Sequence, residues 1–256
     1  THDLFGKRVY RKLPAKLQHL IRSNGNLYRI GQHGPDILFY HMLKPEVSKT
    51  GIRMHKEIAA PFFERGMALV RDTHDEKLLA YLLGFGCHYL LDSACHPYIE
   101  DMADKKVITH TLLEKEFDRM LMLKTHKNPY HYYPACGVIP RITYARVIHR
   151  AIPKVTSGEI LTSLSRMKFI TNCMVYDNKG RRKKLLTVIS RLAGRKLSDS
   201  VMEYFMAKDP VPGSAVPVHN LYGLYEGEVR EAPGYLEELF NLSREDRSLS
   251  ERWHRT

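Results

Sequence analysis

The segment Gly86-Cys87-His88-Tyr89-Leu90-Leu91-Asp92-Ser93-Ala94-Cys95-His96-Pro97 carries His88, Asp92 and His96 at positions i, i+4 and i+8. A helix turns about 100° per residue, so each four-residue step drifts by only some 40° and the three side chains share one face. Their neighbours are apolar, which predicts that this face points into the protein. A buried aspartate between imidazoles is costly unless positive charge compensates it. A divalent metal does so, and zinc accepts both imidazole nitrogen and carboxylate oxygen.

A second His-x3-acid pair, His110 with Glu114, lies on the next expected helix. Fourteen histidines and 28 acidic residues in 256 positions make roughly one or two such pairs a chance result. Three occur, at His88–Asp92, His96–Glu100 and His110–Glu114, so the count decides nothing. The weight rests on ligand pairs in consecutive, largely apolar helices. Three further candidates are His2, Asp36 in the loop Gly34-Pro35-Asp36, and His55 early in Gly51-Ile52-Arg53-Met54-His55. The competing reading is plainer: core histidines satisfied by hydrogen bonds, Asp92 paired with an arginine, and His110–Glu114 as a surface pair worth ~0.5 kcal/mol. It must then explain several polar side chains on apolar faces at once.

In order and spacing these residues resemble the bacterial zinc-dependent phospholipase C family and, more distantly, the fungal and plant single-strand-specific zinc nucleases. The matching features are an N-terminal His, a Gly-Pro-Asp loop, a helix His, His-x3-Asp, a further His and His-x3-Glu, over roughly residues 1–118. The resemblance implies an all-α fold with two or three zinc ions. Carried over by residue, it implies that Asp36, His55, His88 and Asp92 hold the first zinc and His96, His110 and Glu114 the second. His2 and a bridging Asp92 hold the third, to which the Thr1 backbone is a further implied ligand. The implied activity is phosphodiester hydrolysis of a phospholipid by metal-activated water, with Asp36 also acting as base. Two alternatives stay open: a zinc nuclease or nucleotidase, with Tyr130-His131-Tyr132-Tyr133 stacking a base, and a non-catalytic lipid- or nucleic-acid-binding protein with structural zinc.

Helical periodicity dominates the elements that must position these residues, and strand alternation is scarce. Helices are expected over 7–24, 52–71 with a break near Pro61, 75–94 ending or kinking at Pro97, and 109–123 capped by Thr109. Residues 31–36 and 127–140 are expected to be loops. Further helices are expected at 141–152, 157–176, 182–193 and 197–207. The glycines and prolines after Asp209 predict an extended wrapping segment, 209–256, ending in a short helix at 235–242. A single all-α domain follows, with a metal-binding half (1–125), a helical half (140–208) and that segment.

Composition sets the outer bounds. Hydrophobic residues are 43% and charged residues 27%, which excludes a disordered or fibrous chain. Forty Lys and Arg against 28 Asp and Glu give +12, which favours phosphate-rich partners. The basic run 179–184, followed by apolar positions, could meet an anionic membrane surface. No uninterrupted apolar run reaches the ~20 residues of a spanning helix. Four cysteines give no disulfide framework by count or spacing, and no apolar leader follows the opening residues. A cytoplasmic setting is the expectation, with secretion after removal of a signal peptide as the alternative.

Overall fold

The computed structural model describes residues 1–175, 181–192, 205–206 and 209–255. All regular elements among them are helices: α1 (His2–Tyr10), α2 (Ala15–Ser23), α3 (Gly25–Gly31), α4 (Pro45–Met54), α5 (Ala60–Thr73), α6 (Glu76–Asp104), α7 (His110–Lys124), α8 (Ile142–Ala151), α9 (Ser157–Cys173), α10 (Arg181–Leu192) and α11 (Ala215–Leu242), with 3-10 turns at Gly34–Tyr40, Pro134–Gly137 and Glu251–His254. The all-α class expected from periodicity is the class observed. Two compact units divide the chain. One comprises His2–Ser93, Cys136–Lys168 and Gly227–Thr256. The other comprises Thr1, Ala94–Ala135 and Phe169–Glu226.

In the first unit, α6 begins on an Asp75 cap whose Oδ1 accepts from the Lys77 and Leu78 amides at 2.9 and 3.1 Å. Residues Leu78 to Leu83 are all at most 4% exposed, so this stretch is apolar on every side and forms the core. Over α6 an 18-residue window is long and apolar enough to cross a membrane, contrary to the sequence reading, and 78% of that window is buried inside the protein.

Two glycines bring α3 onto α6. A Cβ at Gly31 would lie 2.2 Å from the Tyr81 carbonyl oxygen, and one at Gly84 would lie 2.1 Å from that of Tyr28. This close approach sets down the following turn, Gly34–Tyr40, beside His88. Gly34 has φ +47°, and a Cβ there would lie 2.1 Å from His88 Cδ2. Only glycine provides both that backbone conformation and that clearance.

In the second unit, α7 starts at His110 with Thr109 Oγ1 accepting from the Leu112 amide at 3.3 Å, the cap expected from sequence. Glu116, 1% exposed, receives Arg119 at 2.8 Å and the Val211 amide at 3.3 Å.

Several expectations need correction. The helix read over 7–24 is two helices, α1 and α2, with Pro14 as the α2 cap. The break expected near Pro61 is found: the span 52–71 is the end of α4 and then α5, separated before Ala60. Pro97 neither ends nor interrupts α6. Its ring faces solvent while Cys95 and Ile99 on either side are 5% and 3% exposed, so packing outweighs the ~3 kcal/mol cost of an internal proline. The largest difference is the segment after Asp209, where an extended wrap was expected and the 28-residue α11 is found. Pro217 falls in its first turn, where no amide donor is needed, and Val218, Leu221, Tyr225, Val229, Ala232, Leu236 and Leu239 form a buried stripe at helical spacing. The loop 127–140 contains the Pro134–Gly137 turn. Of the helix read over 197–207 only Phe205 and Met206 are described, and Lys179 and Gly180 of the basic run lie outside the described residues.

Candidate metal centre

His88 is the anchor of the first unit's ligand atoms, with only 3% of its side chain exposed. Its Nε2 lies 3.1 Å from Asp92 Oδ2, the i+4 carboxylate on the same helix. The other carboxylate oxygen, Oδ1, is 3.3 Å from His2 Nε2, so Asp92 faces a different imidazole with each oxygen. The His2 and His88 rings stand 4.8 Å apart. The start of α1 is held by Asp3, which accepts from Arg29 Nε at 2.6 Å and from Lys7 at 2.5 Å. Burial pushes the Asp3 carboxyl up, but these two cations outweigh it and hold the pKa at about 2. That pairing fixes the residue next to His2.

Asp36 and His55 complete a second arrangement around His88. His55 Nε2 is 3.0 Å from Asp36 Oδ1, and Asp36, His55 and His88 place one ligand atom each within 4.8 Å of one another. The Gly51 carbonyl accepts from His55 Nδ1 at 2.9 Å, since a carbonyl can only accept. This fixes the tautomer with Nε2 as the lone-pair donor, as metal-ligating histidines require. Phe39 stacks on the His55 ring at 5.3 Å. Burial would push the Asp36 carboxyl up, yet the His88, His55 and His33 imidazoles keep it below the ordinary range and ionised. His33 is itself lowered to about 4 by burial, so it is neutral at neutral pH.

The second unit holds a separate triplet. Glu114 Oε1 receives His110 Nε2 at 3.3 Å and His96 Nε2 at 3.6 Å, and the two rings meet edge to face at 5.2 Å. Side-chain exposures are 31%, 39% and 47% for His96, His110 and Glu114, against 3% and 15% for His88 and Asp92. The uniformly buried face expected for His88, Asp92 and His96 is thus a gradient, closed at His88 and open at His96. One turn beyond Glu114, Asp118 meets both the nitrogen and the hydroxyl of Thr1. Asp118 continues the His110–Glu114 stripe at i+4, a spacing visible in the sequence that the reading passed over.

The donor chemistry fits zinc. Tetrahedral zinc with bonds of about 2.0–2.2 Å separates neighbouring ligand atoms by roughly 3.4 Å. The nitrogen–oxygen gaps in both units run from 3.0 to 3.6 Å and bracket that value. Among the described residues, three groups could hold a metal ion: His2/His88/Asp92, Asp36/His55/His88 and His96/His110/Glu114. All eight side chains come from the ligand set read in the sequence. In the aromatic loop, Lys127 Nζ covers the Tyr132 ring at 4.1 Å, and Tyr133 is 41% exposed.

Three imidazole–carboxylate groups, each able to hold a metal ion, thus stand on an all-α scaffold among the described residues. The profile of the zinc-dependent phospholipase C family matches residues 1–165, so the chain belongs to that family. The matched span contains every candidate ligand and ends within α9. No curated protein and no solved structure matches the chain.

Proposed function

We propose that this protein is a zinc-dependent phospholipase C that hydrolyses a phospholipid to diacylglycerol and a phosphorylated head group. The observation that carries the proposal is the convergence of Asp36, His55, His88 and Asp92 inside the family-matched span. In this reading these four hold one zinc, His96, His110 and Glu114 a second, and His2 with Asp92 a third. Bound zinc supplies a water acidified towards a pKa of about 7 and positive charge for the phosphate oxygens.

The chain's own residues then have defined tasks. Asp36 orients the attacking water and takes its proton, with His55 Nε2 and Asp36 Oδ1 3.0 Å apart so that both can face one ion. Gly51 keeps His55 in the ligating tautomer. Asp92 links the His2 and His88 imidazoles.

Lipid as substrate draws support from α10. Leu185, Val188 and Ile189, at i, i+3 and i+4, are 61%, 58% and 52% exposed. Lys184 and Arg191 are exposed on the same helix. An apolar stripe beside cations suits the surface of an anionic membrane. An activity screen tests the reading, using phosphatidylcholine vesicles, a nitrophenyl phosphodiester and single-stranded DNA. Phosphocholine release that disappears in Asp36→Asn supports it. Cleavage of DNA without lipid turnover makes the protein a nuclease, and zinc binding without any turnover makes it a binding protein.

A further inference from the structure

A cavity of about 470 Å³ opens in the first unit, with no candidate metal ligand among its lining residues. Its walls are Phe62, Phe85, Tyr89 and Ile152, and Ile58 at its edge is 48% exposed. Phe62 and Phe85 pack at 4.5 Å, so the aromatic wall is continuous. Around the mouth stand three cations, Arg53, Arg65 and Lys154. Arg53 is paired with Glu57 at 3.1 Å, which leaves Arg65 and Lys154 to set the sign. Among the described residues neither lies within ion-pair distance of a carboxylate. Arg65 is poised over the Phe62 ring at 5.8 Å and donates to the Ala151 carbonyl at 3.5 Å.

Volume, walls and rim together select a ligand class. The volume lies within the ~300–1,000 Å³ of small-molecule sites, which are mostly apolar with a few orienting polar groups. An apolar interior capped by two unneutralised cations is complementary to an alkyl chain ending in an anion. We propose that this cavity binds a single-chain anionic amphiphile, with the chain against Phe62, Phe85 and Tyr89 and the head group at Arg65 and Lys154. The proposal uses none of the candidate metal ligands and stands whether or not the protein hydrolyses phosphoesters.

The chain carries its own reporter. Trp253 is the single tryptophan, fully buried, stacked on Tyr89 at 5.4 Å and against Phe63 at 4.7 Å. Zinc-loaded full-length protein is titrated with dodecanoate below its micelle concentration, while Trp253 fluorescence is read. Dodecanol tests the head group and acetate the chain. Saturable one-site binding is expected, at least tenfold tighter for dodecanoate than for dodecanol or acetate. Arg65→Gln/Lys154→Gln, at two exposed positions, should weaken it at least tenfold with an unchanged melting temperature. Phe85 also meets the His88 ring edge, at 6.1 Å, so excess inorganic phosphate provides the decisive competition. Retained binding under phosphate supports the cavity. Displacement by phosphate that is equally strong in the Arg65→Gln/Lys154→Gln variant assigns the signal to the metal centre and overturns the proposal. Absent saturation, equal affinity for dodecanol, or an unaffected double variant overturns it as well.

Discussion

His55 donates its Nδ1 hydrogen to the Gly51 carbonyl at 2.9 Å, one helical turn earlier on the chain. The contact commits Nε2 to the Asp36 side, where the carboxylate oxygen is 3.0 Å away. In the proposed zinc site, a residue at the C-terminal end of α4 is thereby preset for an ion, which lowers the ordering cost of binding.

The protein should contain at least two zinc equivalents per chain by elemental analysis. His88→Ala and Asp92→Ala should each lose metal from the first unit and lower the melting temperature, because a ligand bound only by the native state stabilises it. Chelator treatment of the native protein should do the same. Metal-free protein whose melting is unmoved by chelator contradicts the assignment.

Glu114→Gln keeps the side-chain shape and removes its charge. Glu114 is the shared acceptor of His96 and His110, whereas Asp36, His55 and His88 belong to the other unit. Elemental analysis should show about one equivalent lost and the Asp36/His55/His88 site filled. Loss of all zinc, or of none, would mean the ligands are wrongly partitioned.

Gly34→Ala tests the positioning of Asp36. The substitution meets a positive φ and the His88 ring at once, so it should cost about 2–3 kcal/mol in a denaturant titration. It should also weaken zinc binding without touching a ligand atom. Unchanged stability would mean that the turn rearranges at no cost.

The clustering of these side chains was legible because a helix converts spacing into direction: His88 and Asp92, or His110 and Glu114, share a face as soon as their segments are helical. The Gly34-Pro35-Asp36 turn was legible only as punctuation, since its role depends on the distant approach of Gly31 and Gly84. The C-terminal helix was misread for a related reason. Gly223, Gly227, Pro233 and Gly234 weaken a helix locally, yet the stripe from Val218 to Leu239 buries enough apolar surface to override them. Pro97 is the same contest on α6. The gradient of exposure from His88 to His96 could not be read at all, because periodicity gives direction and not depth.

A buried acid supplies a pH signature away from the metal ligands. Glu228, 5% exposed, receives Arg252 on Oε2 at 3.1 Å, while Oε1 has no hydrogen-bond partner among the described residues. Burial raises its pKa to about 7, Arg252 and Arg255 oppose the shift, and Glu231 adds to it; Cys87 and Tyr89 are the other titratable groups it faces. The folded state therefore holds this proton more tightly than the unfolded chain, and its stabilising contribution is lost as pH rises towards and through about 7. Between pH 5 and 8 the wild type should lose up to ~3 kcal/mol relative to Glu228→Gln, read as urea midpoints at both pH values. Parallel pH dependence in the two proteins would show that Glu228 is ionised throughout.

The reaction itself is tested most directly by a single turnover of zinc-loaded protein on phosphatidylcholine vesicles in oxygen-18 water. No serine or cysteine stands in a nucleophile motif of the sequence, and in the proposed reaction water attacks phosphorus directly. The account predicts one heavy oxygen in the released phosphocholine, none in the diacylglycerol, and no product from Asp36→Asn. Label in the diacylglycerol, release of phosphatidic acid, or an inert zinc-loaded protein would contradict it.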